Sequence, residues 1–266
     1  MIWQMEILHT LMLGILQGLT EFLPVSSSGH LVLAQWLLDS EFGGGLLFEV
    51  TLHVATMVAI LLFYRKKVIE LAIGAISANP ASLRYIGKLV VGTLPAIGIA
   101  LLAKNWIEQQ FELPQVAGLG LLITGTIVWS TRYTIDKGNK HEPSWYGAFL
   151  IGCAQAIAIL PGISRSGATV GAALALGLSP LAAAQFSFLL GVIAISGAGV
   201  LLLPELATIS NALFQTIALG AMAALLSGLL ALWLFVWLLR AQRFYLFAWY
   251  AWVLGITTLT AVLTMN

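Results

Sequence analysis

The sequence predicts an all-α polytopic membrane protein, an inverted-topology repeat with six spanning helices and two re-entrant helix pairs. Three observations predict it. Of 266 residues, 60% are hydrophobic and 9% charged, with a mean hydropathy of +0.97, whereas soluble domains carry roughly 25% charged residues. Six apolar stretches approach the ~20 residues that a helix needs to cross a hydrocarbon core of about 30 Å. Two further apolar segments are each interrupted by a cluster of Pro, Ser and Gly.

The first interrupted segment has apolar halves at Ile7 to Phe22 and Leu31 to Leu38, the second at Trp145 to Leu160 and Val170 to Leu178. Between the halves, Pro24 and Pro161 each remove a backbone donor, and the Ser and Gly residues favour turns. Broken backbone at membrane depth survives only against protein or a wet cavity. Both segments are therefore expected to dip into the membrane and return. The spans are expected at Leu46 to Tyr64, Ile86 to Ala103, Val116 to Ser130, Leu181 to Leu203, Leu213 to Leu239 and Phe244 to Met265. Val68 to Lys88, with SANP at its middle, reads as an interfacial element, and Lys104 to Pro114 and Pro204 to Ala212 as loops.

Loop charge tests this layout. Arg65, Lys66, Lys67, Arg84 and Lys88 form one basic cluster, Arg132, Lys137 and Lys140 a second, and Arg240 with Arg243 a third. All three fall on the cytoplasmic side, as basic loops do, only if the second interrupted segment re-enters instead of crossing. For the first segment the argument is an internal repeat. Gly14, Gln17, Ser26, Ser28 and Gly29 recur 138 positions later as Gly152, Gln155, Ser164, Ser166 and Gly167. Each copy then holds one broken pair and three spans, and an odd number of spans inverts the second copy. The expectation is a single membrane domain over residues 1–266, with repeat A at about 1–135, repeat B at about 140–266, and both termini in the periplasm.

Several function classes drop out. A net charge of +1 offers no field for nucleic acid. Cys153, the single cysteine, forms no intrachain disulfide and reads as a packing residue. The start, MIWQMEILHT, lacks the basic n-region and small-residue cleavage site of a signal peptide and is expected to be retained. Aromatics at span ends (Trp145, Tyr146, Phe244, Tyr245, Trp249, Tyr250) suit interfacial belts, and Gly191, Gly197 and Gly199 suit close helix packing or a lipid groove.

The chemistry concentrates in QGLTEFLPVSSSGH (Gln17 to His30) and LPGISRSGAT (Leu160 to Thr169). A guanidinium at mid-membrane costs about 2.5 to 3.5 kcal/mol on insertion scales, and its fork matches phosphate oxygens. Arg165 is thus the leading phosphate ligand, with Ser164, Ser166, Thr169 and a helix N-terminus beside it. Its bland alternative is a salt bridge to Glu21 or Glu49. Gln17 and Glu21, four residues apart, share one helix face. Ser26, Ser27 and Ser28 compete as nucleophile, with His30 near enough in sequence to serve as base; His30 itself or a water are alternatives, and backbone capping is the plain reading of Ser26 and Ser28.

These two motifs, with FEVTLHVATMVAILLFYR (Phe48 to Arg65) and AAAQFSFLL (Ala182 to Leu190), resemble in order and spacing the undecaprenyl-diphosphate phosphatase family, also known for bacitracin resistance. The resemblance covers essentially the whole chain. It implies an inverted repeat with two re-entrant segments, and an enzyme of the bacterial inner membrane that removes the terminal phosphate of a C55 polyprenyl diphosphate, recycling the cell-wall carrier lipid. By the resemblance, Glu21, Ser27, His30 and Arg165 are the catalytic set, with Ser27 attacking and His30 carrying the proton, while Ser26, Ser164, Ser166, Thr169 and Gln17 hold phosphate. Glu49 would face the same cavity and, with Glu21, bind a divalent cation, Mg²⁺ or Ca²⁺. Three positions depart from the family pattern: Gln17 replaces one carboxylate, His53 stands where many relatives carry Gln, and Gln185 where many carry Glu. They put a fixed metal-ligand set in doubt.

The expected partners are a polyprenyl diphosphate lipid and the bilayer, with a homodimer left open and the site opening to the periplasm. The rival is a transporter or flippase of phosphorylated lipid, since inverted repeats with broken helices are also transporter architecture. An ion channel fits the lopsided chemistry poorly.

Overall fold

The computed structural model describes residues 2–38, 45–201 and 211–265. The expected loop Pro204 to Ala212 lies largely outside them. Among the described residues twelve α-helices follow in order: α1 Ile2–Phe22, α2 Ser27–Leu38, α3 Gly45–Phe63, α4 Arg65–Ile76, α5 Pro80–Leu102, α6 Lys104–Phe111, α7 Pro114–Ser130, α8 Trp145–Ile157, α9 Arg165–Ala175, α10 Pro180–Leu201, α11 Asn211–Arg240 and α12 Phe247–Met265.

The helices α5, α10, α11 and α12 are each long and apolar enough to cross a membrane. The other two spans are α3, bent by 83° into α4, and α7, entered from α6 through a 94° bend. The six expected spans are present. In contrast, α2, α8 and α9 have 12, 13 and 11 residues, and at 1.5 Å rise they reach only about 16–20 Å. Of α1, with 21 residues, only Ile7–Phe22 is an apolar stretch, again short of a span, so the α1–α2 and α8–α9 pairs are the re-entrant ones expected.

Some boundaries differ from expectation. The stretch Val68 to Lys88 is not one interfacial element. Its first part is α4, turned across the span; then Asn79 accepts hydrogen bonds from Ala81 N (2.9 Å) and Ser82 N (3.3 Å), Pro80 follows at the first helical position, and α5 begins. Asn followed by Pro is a strong helix start, so the span opens at residue 80. The expected loop at Lys104 to Pro114 contains α6, an amphipathic helix of about two turns whose Ile107 is buried and whose Trp106 is exposed.

Glycines set how the halves meet. A Cβ at Gly14 would lie 2.3 Å from the Gly220 carbonyl, and one at Gly152 would lie 2.2 Å from the Gly92 carbonyl. The repeat-equivalent glycines of α1 and α8 thus press against helices of the opposite half, α11 and α5. Along α1 the contacts climb in register, Gly14 with Gly220, Gly18 with Ala224, Phe22 with Gly228, so α1 runs parallel to α11, toward its basic end at Arg240. Along α8, Trp145 meets Gly87 and Gly152 meets Gly92, so α8 runs parallel to α5, away from the basic end at Arg84 and Lys88. The two broken pairs therefore enter from opposite faces. The centre is filled by α3 and α10, with Phe22, Phe188, Phe235 and Phe244 in successive edge-on ring contacts at 4.9–5.6 Å.

Candidate active site

The two breaks touch. A Cβ at Gly29 would lie 2.9 Å from Gly162 Cα, and one at Gly167 would lie 3.3 Å from Pro24 Cβ. Each break ends on a capping serine: Ser26 Oγ accepts from Gly29 N and Ser164 Oγ from Gly167 N, both at 3.2 Å. These serines also contact Ser28 and Ser166 through their hydroxyls at 3.2 and 3.1 Å. The helices consequently start at Ser27 and Arg165, earlier than hydropathy suggests, because serine is a good N-cap where it is a poor helix interior residue.

Each break is held in an uncommon backbone conformation. Gly162 has φ +86°, and its Cα is so close to α7 that a Cβ would lie 2.1 Å from the Ala117 carbonyl. Thr124 of α7 staples it, donating to Gly162 O at 2.7 Å and accepting from Ser164 N at 2.8 Å. In the first break the left-handed residue is Ser26 itself, at φ +65°, a conformation that costs a non-glycine residue about 1–3 kcal/mol unless its surroundings enforce it.

Over the two breaks lies a cavity of about 310 Å³, walled by Thr20, Glu21, Ser26, Ser27 and Ser28 from the first pair, Ala158, Ile159, Ile163, Ser164 and Arg165 from the second, Val50 and His53 from α3, and Ala194 and Ile195 from α10. Among the described residues Glu21 is its only carboxylate, and it is buried. One oxygen, Oε1, accepts from the Arg165 guanidinium at 2.5 Å. The other, Oε2, accepts from Ser27 Oγ at 2.7 Å and from Gln17 Nε2 at 3.0 Å, and His53 Nε2 stands 3.6 Å away. A Cβ on Gly191 of α10 would lie 2.2 Å from an Arg165 terminal nitrogen, so the guanidinium occupies space that only glycine leaves. Such a pair in apolar surroundings stands out because charges there are costly unless they serve function.

The sequence profile described as "Bacitracin resistance protein BacA" matches residues 10–257. The chain belongs to this family. Among its relatives, "Undecaprenyl-diphosphatase" of Desulforapulum autotrophicum is 39% identical over 97% of this chain and 99% of its own length. The protein of that name from Desulfosudis oleivorans is 41% identical over 96% and 98%, and that from Acinetobacter baumannii 32% identical over 98% and 97%.

The residues of the BacA-family motifs separate by position. Glu21, Ser26, Ser27, Ser164 and Arg165 share the cavity. Gln17 touches it only through Glu21; it lines a second, smaller depression with Glu49, Phe48 and Leu52. Glu49 is therefore not on the wall of the main cavity, and His53, one turn on, takes that place. Ser166 and Thr169 lie behind the wall. Ser166 Oγ donates to Leu23 O at 3.3 Å, and Thr169 Oγ1 donates to Arg165 O at 2.7 Å and contacts the Ser187 hydroxyl of α10. Ser166 from the first turn of α9 and Thr169 from the second thus meet other protein groups, not the cavity wall.

The expected pairing of Ser27 with His30 is not the one formed. The His30 ring reaches back one turn to Ser26 O at 2.7 Å and across to Tyr250 Oη at 2.7 Å, so both nitrogens are engaged and neither meets Ser27. The carboxylate of Glu21 takes its place as acceptor. Thr20 and Ser187, inside the quoted blocks but not singled out there, Thr124, and Gly191 and Tyr250, read from the sequence only as packing and interfacial residues, complete the surroundings; each is a polar or small residue in an apolar helix, too weak a signal alone.

Among the described residues no three His, Cys, Asp or Glu side chains converge as ligands, and the single cavity carboxylate has both oxygens engaged by Arg165, Ser27 and Gln17.

Proposed function

We propose that the chain hydrolyses undecaprenyl diphosphate, a polyprenyl diphosphate lipid, to the lipid monophosphate and inorganic phosphate, recycling the cell-wall carrier. The reading follows the activity for which the relatives are named. The observation that carries it is a hydroxyl, Ser27 Oγ, donating at 2.7 Å to a carboxylate whose other oxygen is bound to a guanidinium.

Ser27 is the first residue of α2 and Arg165 the first of α9, so two helix N-termini bring partial positive charge and backbone donors to one cavity. The terminal phosphate competes with Glu21 for the Arg165 fork, and the guanidinium turns from carboxylate to phosphate oxygens, which it fits bidentately. Glu21 then takes the Ser27 proton. Ser27 Oγ attacks the terminal phosphorus, the bond to the bridging oxygen breaks, and the lipid monophosphate leaves with the electron pair. The leaving monophosphate takes the proton from Glu21; water then attacks the phosphoserine, Glu21 accepts the water's proton and returns it to Ser27 Oγ as inorganic phosphate departs. The protein's contribution is positioning and charge stabilisation, as phosphoryl transfer requires.

The expected Mg²⁺ or Ca²⁺ belongs in this scheme with the substrate, as the counter-ion of the diphosphate oxygens, and no protein step is assigned to it. The chain works in the bacterial inner membrane with the cavity reached from the periplasmic side, in keeping with the basic loops on the opposite face. Translocation of the lipid, the rival reading, draws no support from the relatives' names.

The test is phosphate release from undecaprenyl diphosphate by the purified protein in detergent, with Ser27→Ala and Arg165→Ala alongside. Release that is lost in both variants is the expected result. Lipid binding without release at any divalent ion concentration would overturn the reading, and full activity of Ser27→Ala would replace the serine by water as nucleophile.

A further inference from the structure

We propose that Tyr250 is a positioning residue for the reaction, acting through His30 on the backbone that presents Ser27; the functional half of this inference rests on the phosphatase reading above. The starting point is Ser26 at φ +65°, next to the attacking hydroxyl. A non-glycine residue stays there only if its neighbours enforce it. Its carbonyl accepts twice from one residue, His30, from the backbone N at 3.2 Å and from Nδ1 at 2.7 Å.

A carbonyl oxygen only accepts, so Nδ1 of His30 carries the ring proton and Nε2 of the neutral ring offers a lone pair. That lone pair faces Tyr250 Oη at 2.7 Å, and the phenol O–H donates to it. The rings are also stacked, 5.7 Å between centroids and 2° from parallel. Tyr250 thereby selects the one tautomer that can hold Ser26. It does so from α12, a span otherwise packed against α7, where its ring is half-exposed.

The chain of contacts runs from Tyr250 Oη to His30, to Ser26 O, to the start of α2 and Ser27 Oγ. Without the phenol O–H the ring is free to take the other tautomer, which turns a lone pair toward the carbonyl and releases Ser26. Ser27 then loses its fixed approach to Glu21, while Arg165, Ser164 and the cavity walls keep their places. Turnover suffers and substrate binding does not.

Tyr250→Phe keeps the stacked ring and removes only the hydroxyl. The expected result is a kcat lower by about three- to tenfold, the range set by one lost hydrogen bond, with KM within about twofold and an unchanged melting temperature. In a double-mutant cycle, Tyr250→Phe adds nothing in a His30→Ala background. A second readout is independent of turnover. In protein labelled with ¹⁵N-histidine, which has four histidines, the His30 resonances, assigned by their loss in His30→Ala, report an Nδ1-protonated ring in wild type and a mixture of tautomers in Tyr250→Phe. Unchanged kcat in Tyr250→Phe, additive losses in the cycle, or an Nε2-protonated ring in wild type would each overturn the inference. If wild type releases no phosphate, the phosphatase reading fails, and the tautomer measurement still decides whether Tyr250 holds His30 as described.

Discussion

Ser27 and Arg165 occupy the same place in the two halves, the first residue after the capping serine, and both donate to the one carboxylate of Glu21, at 2.7 and 2.5 Å. Their opposite numbers on the neighbouring helices match as well. His53 of α3 faces Glu21, whereas Gly191, at the corresponding position of α10, gives Arg165 its room. A duplicated frame has diverged so that one copy supplies the acceptor and hydroxyl and the other the cation.

The Glu21–Arg165 pair makes stability and activity separable. Removing one member leaves a buried charge unpaired, which costs about 3–5 kcal/mol. Arg165→Ala is therefore expected to lower the melting temperature in detergent, and Arg165→Ala with Glu21→Gln to recover much of it, while phosphate release stays lost in both. Recovery of activity in the double variant would contradict the assigned roles.

A lysine does not replace the fork. Arg165→Lys retains the charge but presents a point cation in place of two parallel donors, so KM is expected to rise at least about tenfold, by steady-state phosphate release. Equal kinetics for Lys and Arg would reduce the residue to simple charge balance.

Gly191→Ala tests the placement of the guanidinium from behind. The new methyl would lie 2.2 Å from an Arg165 nitrogen and must push it aside, whereas a Cβ at Gly197 meets nothing within 4 Å. Misplacement of about 1 Å at a reacting group costs on the order of a hundredfold. That loss in kcat/KM is expected for Gly191→Ala, with Gly197→Ala near wild type; parity between the two would mean that Arg165 does not rest on Gly191 during turnover.

Divalent ions are predicted to follow the substrate. Because the described residues give the cavity one carboxylate, already bound to Arg165, calorimetry with MgCl₂ or CaCl₂ and lipid-free protein is expected to show no binding at micromolar concentrations, with the activity optimum tracking the ratio of ion to diphosphate. Micromolar binding to the lipid-free protein would restore a resident site.

Much of this architecture was legible in the residues. The spans followed from apolar length, and the breaks from Pro24 and Pro161 among serines and glycines. The amphipathic α6 was not, because Lys104, Asn105, Glu108 and the adjacent glutamines read as a loop until the bend sets Ile107 against the protein. Arg165 was legible as costly charge, and its salt bridge to Glu21 was one of its two readings. His30 misled through proximity. Sequence nearness to Ser27 suggested a partner, but one helical turn brings Nδ1 back to Ser26 O. The approach of His53 to Glu21 joins two helices with no shared motif, and only packing reveals it.

The crossing of α1 on α11 and of α8 on α5 has a consequence for biogenesis. When the ribosome has delivered α1 to the translocon, the glycine surface it needs, at Gly220, has not been synthesised, whereas α8 emerges to find Gly92 already in the bilayer. The second broken hairpin can dock at once, and the first has to wait in lipid or in the insertase. Synthesis from one end thus makes the two halves unequal partners in assembly, and an acid such as Glu21 is held in membrane without its arginine until the chain is well advanced.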